Sequence, residues 1–246
     1  MRLTVLGGCG AWPDAGQACS GYLVEHEGFR LLVDPGYAVV PRLLELVEAA
    51  QVDAVLVSHG HPDHCADLNP LLRARIYAQE PPPPLPLYAL PGSVEHVLAL
   101  DAGPRMARSF TSKDFEAGDS FDIGPFQVDS WLLPHWVPNA GLRLTAGGRT
   151  LAYTGDTGPS ESLVELARGA DAFLAEATYP DRVPNDSASY LSSAAQAAAY
   201  ATRADAGRLL LTHLWPGVEP CQALAAARGG YAGEVRVATG GLMLEL

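Results

Sequence analysis

Apolar residues fall in short runs along this chain, and most runs stop at a glycine, a proline or an ionisable residue. LTVLG (3–7) predicts a strand that ends in a glycine-rich loop. GYLVEHEGFRLLVDPG (21–36) predicts a hairpin, two strands about Glu27-Gly28 closed by Asp34-Pro35-Gly36. PRLLELVEAA (41–50) has apolar residues at helical spacing, with Pro41 suited to a first turn. DAVLVS (53–58) reads as a buried strand. Beyond the proline run at 81–84, PLYAL (86–90) predicts another strand and 93–100 a helix.

Strands follow at 126–135, 140–148 and 149–156, with Gly147-Gly148 as a tight hairpin turn. Next come a helix (160–168), a strand (171–177), a helix (193–205), a strand (208–213), a helix (220–228) and two short closing strands. Ser193 and Gln196 have the spacing of a capping box, and the helix they open stops before Gly207. No long linker and no repeat interrupts the pattern. It predicts one α/β domain over 1–246, two sheets with helices outside, built from two strand-rich halves.

Composition narrows the class. A chain of 246 residues, 48% hydrophobic, can bury a large core. The formal charge is 16 − 28 = −12, which repels phosphate backbones and disfavours a broad nucleic-acid-binding face. Cys9, Cys19, Cys65 and Cys221 form no CxxC pair, the usage of free thiols in a cytosolic enzyme. The start, MRLTVLGGCG, lacks the apolar stretch of a signal peptide, and no apolar run approaches ~18 residues. The expectation is a cytoplasmic protein with no membrane span, no structured nucleic-acid partner and a small-molecule substrate. A homodimer stays open.

The chemistry concentrates at 59–64, HGHPDH. His59 and His61 are two apart, so on extended backbone both imidazoles face one side and can reach one metal ion. Pro62 ends the extension and lets Asp63 and His64 point to a second ion. His135, Asp156 and His213 each close an apolar strand, in LLPH, AYTGD and LLLTH, and strand ends converge on one edge of a sheet. A lone strand-end histidine is usually a hydrogen-bonded structural residue. Three imidazoles and a carboxylate within six residues are costly to bury without a metal. His26, in the hairpin tip, is expected to be solvated, and His96 to lie exposed on its helix. Trp12, Trp136, Tyr179 and Trp215 flank the same loops, as pocket walls for a small organic substrate or as ordinary rim aromatics.

HGHPDH, followed in order by His135, TGD ending in Asp156 and LTH ending in His213, resembles the metallo-β-lactamase superfamily over nearly the whole chain. The resemblance implies an αββα sandwich of two mixed sheets with outer helices and a two-metal site at one edge. It assigns His59, His61 and His135 to one divalent ion, Asp63, His64 and His213 to a second, and Asp156 as the bridge. Zinc suits imidazole with carboxylate, with manganese or iron as alternatives. VLGGCGAWPDAGQACSGYLVE, LLVDPG, AEATY and LSSAAQAA resemble the phosphodiesterase-like branch that includes RNase Z. In that branch the glutamate matching Glu176 pairs with a histidine that protonates the leaving oxygen. Tyr190 stands at the histidine's place, and a phenol of pKa near ~10 is a weaker acid than imidazolium.

Two ions ~3.5–4 Å apart can share a water, lower its pKa toward ~7 and polarise a phosphoryl or carbonyl oxygen. The expectation is hydrolysis with a metal-bridging hydroxide as nucleophile. Asp63 would serve as ligand and proton acceptor, with Glu176 and Tyr190 at the leaving group. Asp34 either orients a ligand histidine or simply forms its turn. A small phosphodiester is the first reading of the substrate. A lactone, ester or thioester is the alternative on the same site. An RNase Z-type endonuclease lacks support from any long basic insertion, and a non-catalytic metal-binding protein is disfavoured by the complete ligand set.

Overall fold

The computed structural model describes residues 1–101 and 103–246. Strands β1 (Arg2–Gly7), β2 (Gly21–His26) and β3 (Phe29–Val33) form an antiparallel meander. To it β4 (Ala54–Leu56), β5 (Leu85–Ala89) and β6 (Phe110–Asp114) add in parallel. The second half repeats the plan. β7 (Ser120–Ile123), β8 (Phe126–Leu133), β9 (Asn139–Ala146) and β10 (Arg149–Tyr153) are antiparallel. β11 (Ala172–Glu176), β12 (Arg208–Thr212) and β13 (Glu234–Val237) are parallel additions. β14 (Met243–Glu245) returns to pair with β1. Two seven-stranded sheets result, ordered β14-β1-β2-β3-β4-β5-β6 and β13-β12-β11-β10-β9-β8-β7.

Alternation along the strands divides the apolar residues among three layers. Leu31, Val33, Tyr22, Phe126, Tyr153 and Leu210 fill the space between the sheets. Leu32, Val55, Leu43, Leu71 and Val97 pack outside the first sheet, under α1 (Val39–Leu44), α2 (Pro62–Cys65), α3 (Leu68–Ile76) and α4 (Glu95–Leu98). Phe173, Leu209, Leu166, Ala198 and Ala223 pack outside the second, under α5 (Ser162–Ala167), α6 (Ala194–Arg203) and α7 (Pro220–Arg228). Central strands such as β4, β11 and β12 are therefore buried on both faces, which is why they read as continuous apolar runs. The architecture is the αββα sandwich of two mixed sheets.

Several local expectations change. The helix expected over 41–50 ends at Leu44, and a separate 3-10 turn follows at Ala49–Gln51. The apolar residues that suggested continuation, Leu44 and Leu46, are exposed. His26 is mostly covered rather than solvated. Its ring lies 6.4 Å from Phe126 and against Gly147, so the turn of one sheet meets a turn of the other. The Gly147-Gly148 turn is as expected, with φ of +57° and +71° at its two residues. Among the described residues no helix is long and apolar enough to cross a membrane.

Candidate metal centre

The parallel strands β10, β11 and β12 end side by side, and β3 and β4 end together in the facing sheet. Each of these ends carries a polar residue of the cluster. β3 leads to Asp34, β4 to Ser58 and His59, β10 to Asp156, β12 to His213, and Glu176 is the last residue of β11. Pro62 opens α2 after extended backbone at His61, so Asp63 and His64 leave the line of His59 and His61 and enter a helical turn. Gly155 has φ +58°, and a Cβ there would meet Asn139 Oδ1 at 2.2 Å, so only glycine lets the chain deliver Asp156. His213 itself sits in the left-handed region at φ +59°, as do Ala11 and Asp34, which bond cluster residues.

The seven residues singled out in the sequence meet here as two groups that share Asp156. In the first, His61 Nδ1 lies 3.2 Å from His59 Nε2 and 3.0 Å from His135 Nε2. Asp156 Oδ2 faces His59 and His135 at 3.7 and 3.8 Å. In the second, His213 Nε2 is 3.1 Å from both Asp63 Oδ2 and Asp156 Oδ2. His64 Nε2 is 3.6 Å from Asp63 Oδ2 and 3.2 Å from Asp156 Oδ1.

Hydrogen bonds on the far side of four rings fix their tautomers. His64 Nδ1 donates to Asp34 Oδ2 at 2.8 Å. The same oxygen accepts from Ser58 Oγ and from Tyr153 Oη. Ser58 Oγ therefore accepts from His59 Nδ1 at 3.0 Å. His135 Nδ1 donates to the Tyr190 carbonyl at 2.9 Å. His213 Nδ1 donates to Thr178 Oγ1 at 2.9 Å, and that hydroxyl donates on to Glu176. In the neutral form of all four rings Nε2 is then the nitrogen with the lone pair, and it faces the centre. His64 Nε2 and Asp156 Oδ1 are buried there with no hydrogen-bond partner. Inward lone pairs of nitrogen and oxygen, with too few protons to bond them, fit divalent cations.

The electrostatics divide along the same line. Burial, reinforced by His64, holds His59 well below the ordinary imidazole value, and burial also lowers His61 and His135. Burial opposes charge on His64 and His213 as well, yet Asp156 and Asp63 outweigh it and raise both. Asp63 and Asp156, despite burial, are held below the usual carboxylate range by His64 and His213. Burial and the nearby Asp156 push Glu176 up to about 8, against the hydrogen bonds it accepts.

Glu176 and Tyr190 are not a pair. The Glu176 carboxylate, 1% exposed, accepts from Thr157 N, Thr178 Oγ1 and Ser192 N, with no bond to the Tyr190 phenol. Burial behind His213 keeps it from the cleft. Tyr190 meets the cluster through its backbone carbonyl, and its ring stands 5.2 Å from Trp136. The aromatics form two walls. Trp136 and Tyr190 lie beside His135, while Trp12 and Tyr179 both contact Trp215, two residues beyond His213. Thr178, Ser58, Tyr153 and the Ala11 N–H that bonds Asp63 Oδ2 at 2.8 Å escaped the sequence reading. For Thr178 a signal was present, since its β-strand neighbour Glu176 lies two positions earlier in AEATY.

An αββα sandwich with paired His and Asp donors at the strand ends defines a metallo-hydrolase of the metallo-β-lactamase type. The chain belongs to the β-lactamase superfamily, whose domain description (beta-lactamase superfamily domain) matches residues 29–214. Over 254 residues it is 32% identical to the probable metallo-hydrolase YhfI of Bacillus subtilis, covering all of both chains. The crystal structure of the metallo-beta-lactamase fold protein YhfI superposes with a TM-score of 0.90 at 30% identity, covering 100% of this chain and 98% of that one. The chain is also 35% identical over 260 residues to the ribonuclease Z of Mycolicibacterium gilvum, covering 93% of this chain and 91% of the relative. Human tRNase Z, short form, shares the fold with a TM-score of 0.79 at 23% identity, covering 100% of this chain and 99% of that one.

Proposed function

We propose that this chain is a dinuclear hydrolase of small phosphodiesters. The observation that carries the reading is the set of inward lone pairs on His59, His61, His64, His135 and His213 around the shared carboxylate of Asp156. Two divalent ions held there, zinc by the chemistry of the donors, would supply an activated water at neutral pH and a Lewis acid for a phosphoryl oxygen. Asp156 would contact both ions and set their spacing. Asp63 is anchored through Oδ2 by the Ala11 N–H, and its second oxygen would take the proton. The aromatic walls, with Trp136 52% and Trp12 47% exposed, suit a compact substrate that carries a planar group. Glu176 acts behind His213 and not on the substrate. Of the two residues expected at the leaving group, Tyr190 is the one at the cleft rim, so leaving groups that need little protonation should be favoured.

The relative named ribonuclease Z supports phosphodiester chemistry, and it also supports a second reading, cleavage of an RNA. The net charge of −12 weighs against that second reading. The test is elemental analysis of protein purified without added metal, then a panel of aryl and alkyl phosphodiesters, lactones, thioesters and a precursor tRNA. The expected result is close to two ions per chain and turnover of the aryl phosphodiesters. Asp156→Ala should lose both ions and at least about 100-fold in kcat. A wild-type chain without metal would sink the reading, and turnover confined to lactones, thioesters or tRNA would replace it.

A further inference from the structure

The two halves of the cluster differ in ways that their shared use of Asp156 conceals. We propose that the two ion positions are unequal and fill in order, the Asp63–His64–His213 position first and tightly, the His59–His61–His135 position second and exchangeably. The proposal rests on the dinuclear reading above and adds to it an order of loading and a positioning role for Thr178.

Charge is the first difference. The Asp63–His64–His213 position has its own carboxylate, Asp63, besides the shared Asp156. Behind His64 stands another, Asp34, which accepts directly from Nδ1. His213 reaches an acidic side chain, Glu176, only through the Thr178 hydroxyl. The other position has only the shared Asp156. Its outer partners are a peptide carbonyl on His135 and, on His59, the Ser58 hydroxyl, which stands between that ring and the Asp34 that His64 bonds directly. A carboxylate behind an imidazole raises the basicity of the nitrogen that faces the metal, and a neutral acceptor does so less.

Rigidity is the second difference. At the Asp63 side every donor residue is buried, whereas His61 at the other side is only partly buried. Asp63 is pinned by the Ala11 N–H. Asp34 is held by the Ser58 backbone N–H and hydroxyl and by Tyr153, so it cannot swing away from His64. The His213 ring is wedged against Gly10, where an added Cβ would approach it to 2.8 Å. His61 presents Nδ1 inward, and its outer nitrogen has no hydrogen-bond partner among the described residues. A pre-set, more negative position binds a divalent ion before a looser, less negative one.

Thr178 is then a positioning residue. Its hydroxyl donates to Glu176 and so can only accept from His213 Nδ1–H, which keeps the His213 Nε2 lone pair on the ion. A valine in its place has the same shape and no hydroxyl. It would leave His213 Nδ1–H without a partner and Glu176 Oε1 with the Ser192 N–H alone.

Fully loaded protein dialysed against a chelator, and chelator-stripped protein titrated with Co2+ and with Zn2+ against a chromophoric competitor, test the order. Two binding steps separated by at least about tenfold are expected, with one ion lost quickly and one slowly on dialysis. His135→Ala should remove the weak step and leave one tight ion. Thr178→Val should weaken the tight step about 10–100-fold, and Thr178→Ser should restore it. Equal steps in the wild type, or loss of the tight step in His135→Ala, would overturn the proposal. So would a Thr178→Val chain that folds with wild-type melting and keeps the tight step unchanged. Binding of no ion at all would overturn this proposal and the dinuclear reading together. Ordered binding without any phosphodiester turnover would leave the order standing and remove the substrate reading alone.

Discussion

At the scale of single residues, the candidate ligands and their supports differ in how visible they are. Imidazoles and carboxylates crowded behind apolar strands stand out because burying them without compensation is expensive. Their supports are ordinary residues, a threonine, a serine, a tyrosine and one peptide N–H, whose role exists only once strands far apart in sequence are neighbours. The same blindness explains the Glu176–Tyr190 expectation. The resemblance to RNase Z suggested a pair, and the fold spends the carboxylate on Thr157, Thr178 and Ser192 instead. Gly10 is the sharpest case of a support with no side chain at all. Gly10→Ala would press a methyl group against the His213 ring, so the ring must move. Metal affinity measured by chelator competition should fall about 10–100-fold. Unchanged affinity would mean that the loop yields and the ring does not.

At the scale of elements, prediction worked where pattern and end signals agreed. The helix opened by Ser193 is the example. Ser193 Oγ accepts from Gln196 N and Gln196 Oε1 accepts from Ser193 N, the reciprocal bonds that the spacing implied. Ser193→Ala should cost about 1 kcal/mol in chemical denaturation of the loaded protein and leave its ion content unchanged. A loss of ions would mean that α6 also positions the metal loops. The elements that escaped are those whose buried face is not apolar or that have no buried face. α3 turns Leu68, Leu71, Leu72 and Arg75 inward, and a buried arginine breaks the stripe. Its guanidinium is accommodated by the carbonyls of Ala49, Val52 and Pro83, which no local pattern announces. β6 and β7 lie at the sheet edges and expose most of their residues, so they carry little alternation to read.

At the scale of the whole molecule, the cluster couples protons, ions and stability. In the metal-free chain His64 and His213 have folded values raised above their unfolded ones. Their stabilisation is complete below the unfolded imidazole value of ~6.5 and is lost as pH rises through the raised folded values. His59, His61 and His135 are lowered, so their contribution runs the other way and is lost as pH falls below ~6.5. The melting temperature of chelator-treated protein should therefore peak near ~6.5 and decline on both sides. Saturating zinc should abolish the alkaline decline, because a coordinated nitrogen carries no proton on either side of that pH. A metal-free profile that stays flat above neutrality would contradict the raised histidines. The placement of the donors has a mechanical meaning as well. His59, His61, Asp63 and His64 hang from the first sheet, and His135, Asp156 and His213 from the second. An ion gripped by both would act as a clasp on the open end of a book. The covers could not part without dropping the clasp, so the speed at which a chelator strips the slower ion would set an upper limit on how often the two halves part.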